Sequence, residues 1–311
     1  LMGQQVFFHI ASHGYEFPAD GFGIHGKALL TTPGTEVTLK VHRLNVAERL
    51  YRVTGAGIYR DTVMLGRTPP LHYPLINGLV MGQDSVLNAV YGGRLYWFWG
   101  DTNQPAYPLG NFHVPGATSL LPEDGGLDPD VGVDLTYLLD DRGFAKPTCR
   151  MPGDGPTWLA GLVVLPDSEG RQHLLGTYVK IRNGLEAYER GIVMFNDALQ
   201  HFDKVCSYPA DTAPGPDGHT FIHEDEGVPY VYFTNAWPLV RVRATVEDYT
   251  HLDAYEGYTC LEAGSTPAAP RVDRATDGTI HFRWRRGAAP LGPQDQQKLL
   301  ASGQLHPAEA L

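Results

Sequence analysis

Apolar and polar positions alternate along most of this chain, and the alternation has the two-residue period of extended strands. In the first segment, about Leu1–Leu65, "QQVFFHIAS", "KALLTT" and "TEVTLKVHRL" read as strands, separated by the turn signals "ADGFGIHG" and "TPGT". "NVAERLYRVTGAGIYRDTVML" is expected to hold one helical turn before an extended run. The Pro-rich bridge "GRTPPLHYPL" marks a boundary, with residues 66–75 as linker. From Ile76 onward strand candidates follow one another: "SVLNAVY", "RLYWFWGDT", "TWLAGLVVLP", "RQHLLGTYVKI", "GIVMFND", "VPYVYFTN", "LVRVRAT" and "TIHFRWRRG" among them. Turn signals sit between them at "YGGR", "PDSEGR", "EDEG" and "TDGT". Helical periodicity returns only near Pro293, so residues 291–311 are expected to form a helical tail.

These strands predict an all-β fold. Hairpins recur near Gly92, Ser168, Glu226 and Asp277, roughly 50–75 residues apart, which suits propeller blades with long connections. Many strands are apolar on both faces, as strands packed between neighbouring blades must be. The expectation is a β-propeller over residues 76–290 with about four blades visible, so that a five-bladed ring is left incomplete. The first segment, residues 1–65, resembles the closing strands of a small β-sandwich of the transthyretin or carboxypeptidase-regulatory type. Both ends of the chain read as cut from a longer protein.

The stretch "GQDSVLNAVYGGRLYWFWGDTN", Gly82–Asn103, carries the chemistry. A two-residue Gly92–Gly93 turn pairs Tyr91 with Arg94 and Val86 with Trp99. The same register continues to Ser85–Gly100 and then brings Asp84 opposite Asp101. Like charges directly opposed in a sheet are destabilising. Two carboxyls held that close cannot both ionise easily, which leaves one acid and one anion, the pair that glycoside hydrolysis uses. Two other arrangements also fit: both aspartates capping turns, or a shared calcium or sodium ion relieving the repulsion.

At "LYWFWGDTN" the chain resembles five-bladed propeller glycosidases, including a family with a strand ending in GDT and an earlier aspartate on the preceding strand. Members of that family are assigned as arabinan-degrading hydrolases. The resemblance implies Asp84 as nucleophile and Asp101 as acid/base, or the reverse, with Asn103 closing the motif. Related arabinanase, xylosidase and fructosidase types spread three acids over separate blades. On that pattern a third acid would be Glu189 or Glu186 from "LEAYERG", or Asp134 from "GVDLTY". No cofactor is implied beyond a structural calcium.

Candidate substrate contacts are spread along the chain. His113 lies in the loop "NFHVPGATS", and His219 opens a strand candidate. Asn235 and Trp237 stand at a strand end in "FTNAW", where an aromatic ring could stack on a sugar. His219 and His223 are four apart, but in extended chain that places them about 13 Å apart, too far to share a metal. Tyr178, Lys180 and Arg182 in "TYVKIR" are the groups a polysaccharide lyase would need, so that reading stays open beside hydrolysis and non-catalytic glycan or protein binding.

Charge narrows the partners. The formal net charge is −11, and the one basic cluster is Arg283, Arg285 and Arg286, so nucleic acid and anionic membranes are not expected partners. No apolar run reaches a membrane span of about 18 residues. The three cysteines, Cys149, Cys206 and Cys260, lack zinc spacing. No GxSxG, Walker, HExxH or dinucleotide motif occurs. A polysaccharide or oligosaccharide is the expected substrate, and an extracellular or periplasmic location goes with that class.

Overall fold

The computed structural model describes residues 3–11, 14–44, 52–234 and 237–310. Strands hold 41% of the structure and helix 9%, so the fold is all-β, built from several antiparallel sheets. The chain divides into two compact units, Leu1–Arg52 and Val53–Leu311. The division falls before the Pro-rich bridge. Residues 53–75 are tied into the second unit: the Gly57 amide donates to Leu75 O at 2.7 Å, and Tyr59 Oη donates to Val131 O at 3.0 Å.

The first unit contains β1 (Gln5–His9), β2 (Tyr15–Glu16), β3 (Gly26–Leu30) and β4 (His42–Arg43). They form two antiparallel pairs, β1–β3 and β2–β4. The "ADGFG" turn works as its residues predict. Asp20 Oδ1 accepts the amides of Phe22 at 2.8 Å and Ile24 at 3.0 Å, which closes the loop before β3.

The second unit begins with one helical turn, α1 (Arg60–Met64). The helical turn expected at the start of "NVAERLYRVTGAGIYRDTVML" falls on residues 45–51, outside the described residues, and the extended run expected after it is not formed: α1 stands there instead, and the next strand starts at Gly82. The strands β5 (Gly82–Gln83), β6 (Val86–Tyr91), β7 (Arg94–Trp99), β8 (Thr102–Gln104), β9 (Tyr107–Asn111), β10 (Gly116–Ser119) and β11 (Thr136–Tyr137) form two sheets. Their orders are β11-β10-β7-β6 and β5-β8-β9. A second four-stranded sheet is a simple meander of β12 (Thr157–Pro166), β13 (Gln172–Arg182), β14 (Glu186–Asn196) and β15 (His201–Tyr208). A third, five-stranded sheet runs β16 (His219–Asp225), β17 (Val228–Thr234), β18 (Pro238–Arg243), β19 (Glu256–Thr259) and β20 (Arg283–Arg286). The short α2 (Val246–Tyr249) follows β18, and α3 (Pro293–Ala301) lies where helical periodicity returns.

Turn chemistry sets the meanders. Glu226 and Gly227 both take positive φ, as a two-residue hairpin turn requires. Asp167 Oδ1 accepts the amides of Glu169 and Arg171, and its other oxygen pairs with Arg171 and His173. These contacts, the His173 bond first, hold its carboxyl well below the usual range.

The middle sheet is apolar on both faces, and each face has its own core. Val163, Leu165, Leu175 and Ile192 pack against Phe233, Val240 and Tyr249 of the third sheet and its connection. Leu162, Leu174, Val193 and Phe195 pack against Tyr91, Phe98 and Cys149. A third core, with Val80, Trp99, Ala117 and Tyr137, lies on the other face of the β6–β7 sheet. The C-terminal helix docks Leu299 beside Cys260, Leu261, Leu291 and Leu305. Each fully buried Leu or Ile contributes about 1.5–3 kcal/mol of burial free energy, so sandwiching the middle sheet is a main source of cohesion. Among the described residues no closed barrel or propeller is detected. No described helix is long and apolar enough to cross a membrane. All three cysteines are free thiols.

Candidate functional site

Gly92 and Gly93 take φ of 57° and 73°, and β6 pairs β7 from Tyr91–Arg94 through to Val86–Trp99. Farther out the ladder breaks. Ser85 takes φ of 44°, and the Gly100 amide donates to Asp84 O at 3.0 Å rather than to Ser85. Regular pairing resumes at Gln83–Thr102 and Gly82–Asn103. Asp84 and Asp101 occupy the break, opposite each other but not in a regular ladder. The Asp84 amide donates to Asp101 O at 3.2 Å, and the Asp101 amide donates to Asp84 Oδ1 at 3.0 Å.

Gly100 makes this arrangement sterically possible. A Cβ there would stand 2.4 Å from Asp84 Oδ1. The glycine of the GDT motif therefore leaves room for the partner carboxylate to swing across the strands.

The two aspartates line a cleft of about 330 Å³ with Trp99, Val114, Trp158 and Val179. Asp101 Oδ1 is buried without a hydrogen-bond partner. Burial first, and the neighbouring Asp84 charge second, push the Asp101 carboxyl above its ordinary range, while a hydrogen bond from the Trp158 side chain pulls the other way. Trp158 enters from the first strand of the middle sheet. That strand is irregular just beyond it: Gly161 takes φ of 55°, and pairing with β13 shifts between Ala160 and Val163. Bulges of this kind re-aim side chains next to functional sites.

A second cavity, about 360 Å³, is lined by Arg190, Tyr208, Asp217, Phe233, Trp237 and Leu239, among others. Trp237 is 63% exposed at this cavity, and Arg190 Nη1 contacts Asp217 Oδ1 at 2.5 Å.

No protein-family model matches the chain, and no curated protein is significantly similar to it.

Several residues singled out in the sequence lie elsewhere. Glu189 does not line the aspartate cleft. It faces Lys180 across β13–β14, accepts Tyr178 Oη at 2.7 Å and meets Lys204 at 3.5 Å. It sits on β14, two strands away from β12, which borders the cleft, while alternation turns its neighbour Arg190 to the other face and into the second cavity. Tyr178 is buried, and its phenol is pushed far up by burial and by the Glu189 contact, which keeps it protonated and leaves no phenolate to act as a base. Lys180 is fully buried, and its Nζ donates to the carbonyls of Met151, Gly153 and Gly155 and to Thr157 Oγ1. It staples the loop before β12. Arg182 is at the surface, paired with Glu186 at 3.2 Å and stacked on Tyr188 at 4.8 Å.

Asp134 binds the amide and ring of His72. His113 is half-buried beside Val114 of the cleft, with Nδ1 buried and unpartnered. Burial, then Arg150 and Lys180, push its pKa down to about 4, so its ring is neutral at physiological pH. Asn103 lies on β8 opposite Gly82. His219 is exposed at the start of β16. Asn235 lies outside the described residues. Among the described residues no group of three or more His, Cys, Asp or Glu is placed to hold a metal ion.

Trp158 and Arg190 escape a reading of the sequence alone. Both sit inside strand patterns that look structural. The usable signal is the glycine at 161, which interrupts an otherwise continuous apolar strand three residues after the tryptophan.

Proposed function

We propose that the Asp84–Asp101 cleft is the active site of a glycoside hydrolase that cuts a polysaccharide by a two-aspartate retaining mechanism. The observation that carries this reading is the unequal pair: Asp101 has a raised carboxyl pKa and a buried, unpartnered oxygen, and it stands beside Asp84, whose carboxylate is fixed by an amide N–H. Asp101 donates its proton to the glycosidic oxygen as that bond to the anomeric carbon breaks. Asp84 forms a bond to the same carbon. Asp101 then takes a proton from water, whose oxygen displaces Asp84 and completes hydrolysis. Trp99 and Trp158 supply aromatic surface to the cleft.

The arabinanase-like resemblance of "LYWFWGDTN" supports the same reading, and we read the sheets as blades of an incomplete propeller. Three successive antiparallel sheets stack face to face in chain order, and their first long strands, β6, β12 and β16, neighbour one another. An extracellular or periplasmic location belongs with a polysaccharide substrate.

The test is turnover on a panel of polysaccharides by the parent, Asp84→Asn and Asp101→Asn proteins. Sugar release by the parent that is lost in both variants supports hydrolysis, and product stereochemistry followed by NMR distinguishes retention from inversion. Release that survives in Asp101→Asn removes Asp101 as the acid. A second reading is glycan binding without turnover, favoured by the bond from the Asp101 amide to Asp84 Oδ1, which is also how a turn-capping aspartate behaves. Binding in all three proteins with no sugar release by any of them selects it.

A further inference from the structure

One row of the middle sheet runs from the aspartate cleft to the second cavity. Trp158 is directly opposite Val179, Val179 opposite Arg190, and Arg190 opposite Tyr208. Directly opposed residues share a face, and strands lie 4.7–4.9 Å apart, so the row crosses three spacings, about 14 Å. Trp158 and Val179 line the aspartate cleft; Arg190 and Tyr208 line the second cavity. A ligand lying along this row would be longer than a single sugar ring.

The charges along the row select the kind of chain. The cleft lining holds two aspartates and no cation. In the second cavity the Arg190 charge is met by Asp217. An anionic chain would find two carboxyls at one end and an already paired guanidinium at the other. A neutral sugar would find an exposed indole to stack on and a charged pair able to donate to and accept from hydroxyls.

We propose that the two cavities form one groove for a neutral polysaccharide, with Trp237 as a distal platform for a sugar ring. The proposal rests on the glycan-active reading of the aspartate cleft and adds chain length and charge to it. The Arg190–Asp217 pair holds the floor of the distal end. Trp237 is exposed and makes its contact only when a chain reaches that far.

The test is binding, measured by titration calorimetry on the full chain carrying Asp101→Asn so that ligand is not consumed. The ligands are neutral oligosaccharides of increasing length from arabinan, xylan and β-glucan, together with oligogalacturonates as the acidic comparison. Affinity for a neutral series rises with chain length. Trp237→Ala weakens the longer members roughly tenfold, the size of one aromatic contact, and the deficit grows with length. Trp237→Phe restores most of the loss, and equal melting temperatures show that folding is intact. A length dependence unchanged by Trp237→Ala overturns the groove, as does preference for the acidic series or no binding to any of these ligands. Failure of hydrolysis shows separately: a parent protein that never releases sugar while Trp237→Ala still shortens the reach removes the catalytic reading and leaves the groove.

Discussion

Gly100→Ala should act through one atom. The added Cβ would lie 2.4 Å from Asp84 Oδ1 and 3.4 Å from Asp84 O and Ser85 Cβ. Gly100 does not occupy the left-handed region, so the backbone itself accepts alanine. What must give is the Asp84 carboxylate, the mobile end of a side chain, and moving it breaks the bond from the Asp101 amide. A hydrogen bond to a charged group is worth about 1.5–3 kcal/mol. Against this, Gly→Ala at a compatible backbone position stabilises by about 0.4–1 kcal/mol through the unfolded state. The net loss is about 0.5–2.5 kcal/mol. At about 2–4 °C per kcal/mol for a domain of this size, the melting temperature falls by about 1–10 °C. The discriminating assay is a double-mutant cycle with Asp84→Ala, followed by thermal unfolding at neutral pH. With Asp84 truncated, the clash and the bond are both gone, so Gly100→Ala should change from destabilising to mildly stabilising. If Gly100→Ala is equally harmful in both backgrounds, the glycine is not there to admit the Asp84 carboxylate, and the account of the GDT motif fails.

The remaining predictions concern charge, the buried lysine, the third acid and the hairpin. Asp101→Asn should stabilise the protein at neutral pH while abolishing turnover, because a carboxyl with raised folded pKa is protonated more readily folded than unfolded. Its stabilising effect should therefore be largest above the raised pKa, fade as pH falls through it and be gone below the ordinary value of 3.8, measured by melting temperature against pH; a constant effect across that range refutes the shift. For the same reason, hydrolysis that needs the Asp101 proton should weaken as pH rises through the raised pKa. Lys180→Met leaves buried carbonyls of the 151–155 loop without their donor and should cost about 2–5 kcal/mol in chemical denaturation, with no cost if water replaces the ammonium. Glu189→Gln should leave turnover within about tenfold of the parent, since a general acid or base contributes 10²–10⁴-fold and Glu189 is outside the cleft. Gly92→Asn should be nearly neutral and Gly92→Val should cost about 1–2 kcal/mol in thermal unfolding, because φ is 57° there.

The local structure was legible from sequence where short-range chemistry decides it. The Gly92–Gly93 turn, the β6–β7 register and the Asp167 turn follow from residues that are neighbours along the chain or directly opposed in a hairpin. The all-β character follows from the two-residue period. The break at Ser85 was not legible, because continuing the hairpin register predicts a regular Asp84–Asp101 pair. Only close packing at Gly100 allows the strands to deform and the Asp84 carboxylate to bind an amide instead.

Separation in sequence hid the rest. Trp158 meets Asp101 from another sheet, and its strand pattern alone gives no reason to prefer it to Trp97, which stacks on Trp99 at 6.2 Å. Glu189 and Arg190 look equally available in the sequence, yet alternation sends them to opposite faces, and only the packed sheets reveal which face holds a cavity. Tyr178 and Lys180 read as catalytic groups until tertiary packing assigns the phenol to Glu189 and the ammonium to loop carbonyls. Sequence by itself determined the strands, their turns and the approach of the two aspartates, because those depend on backbone preference and hairpin geometry. Tertiary structure alone decided which carboxyl is desolvated and which aromatic side chains line the cleft, because desolvation depends on neighbours brought together from distant parts of the chain.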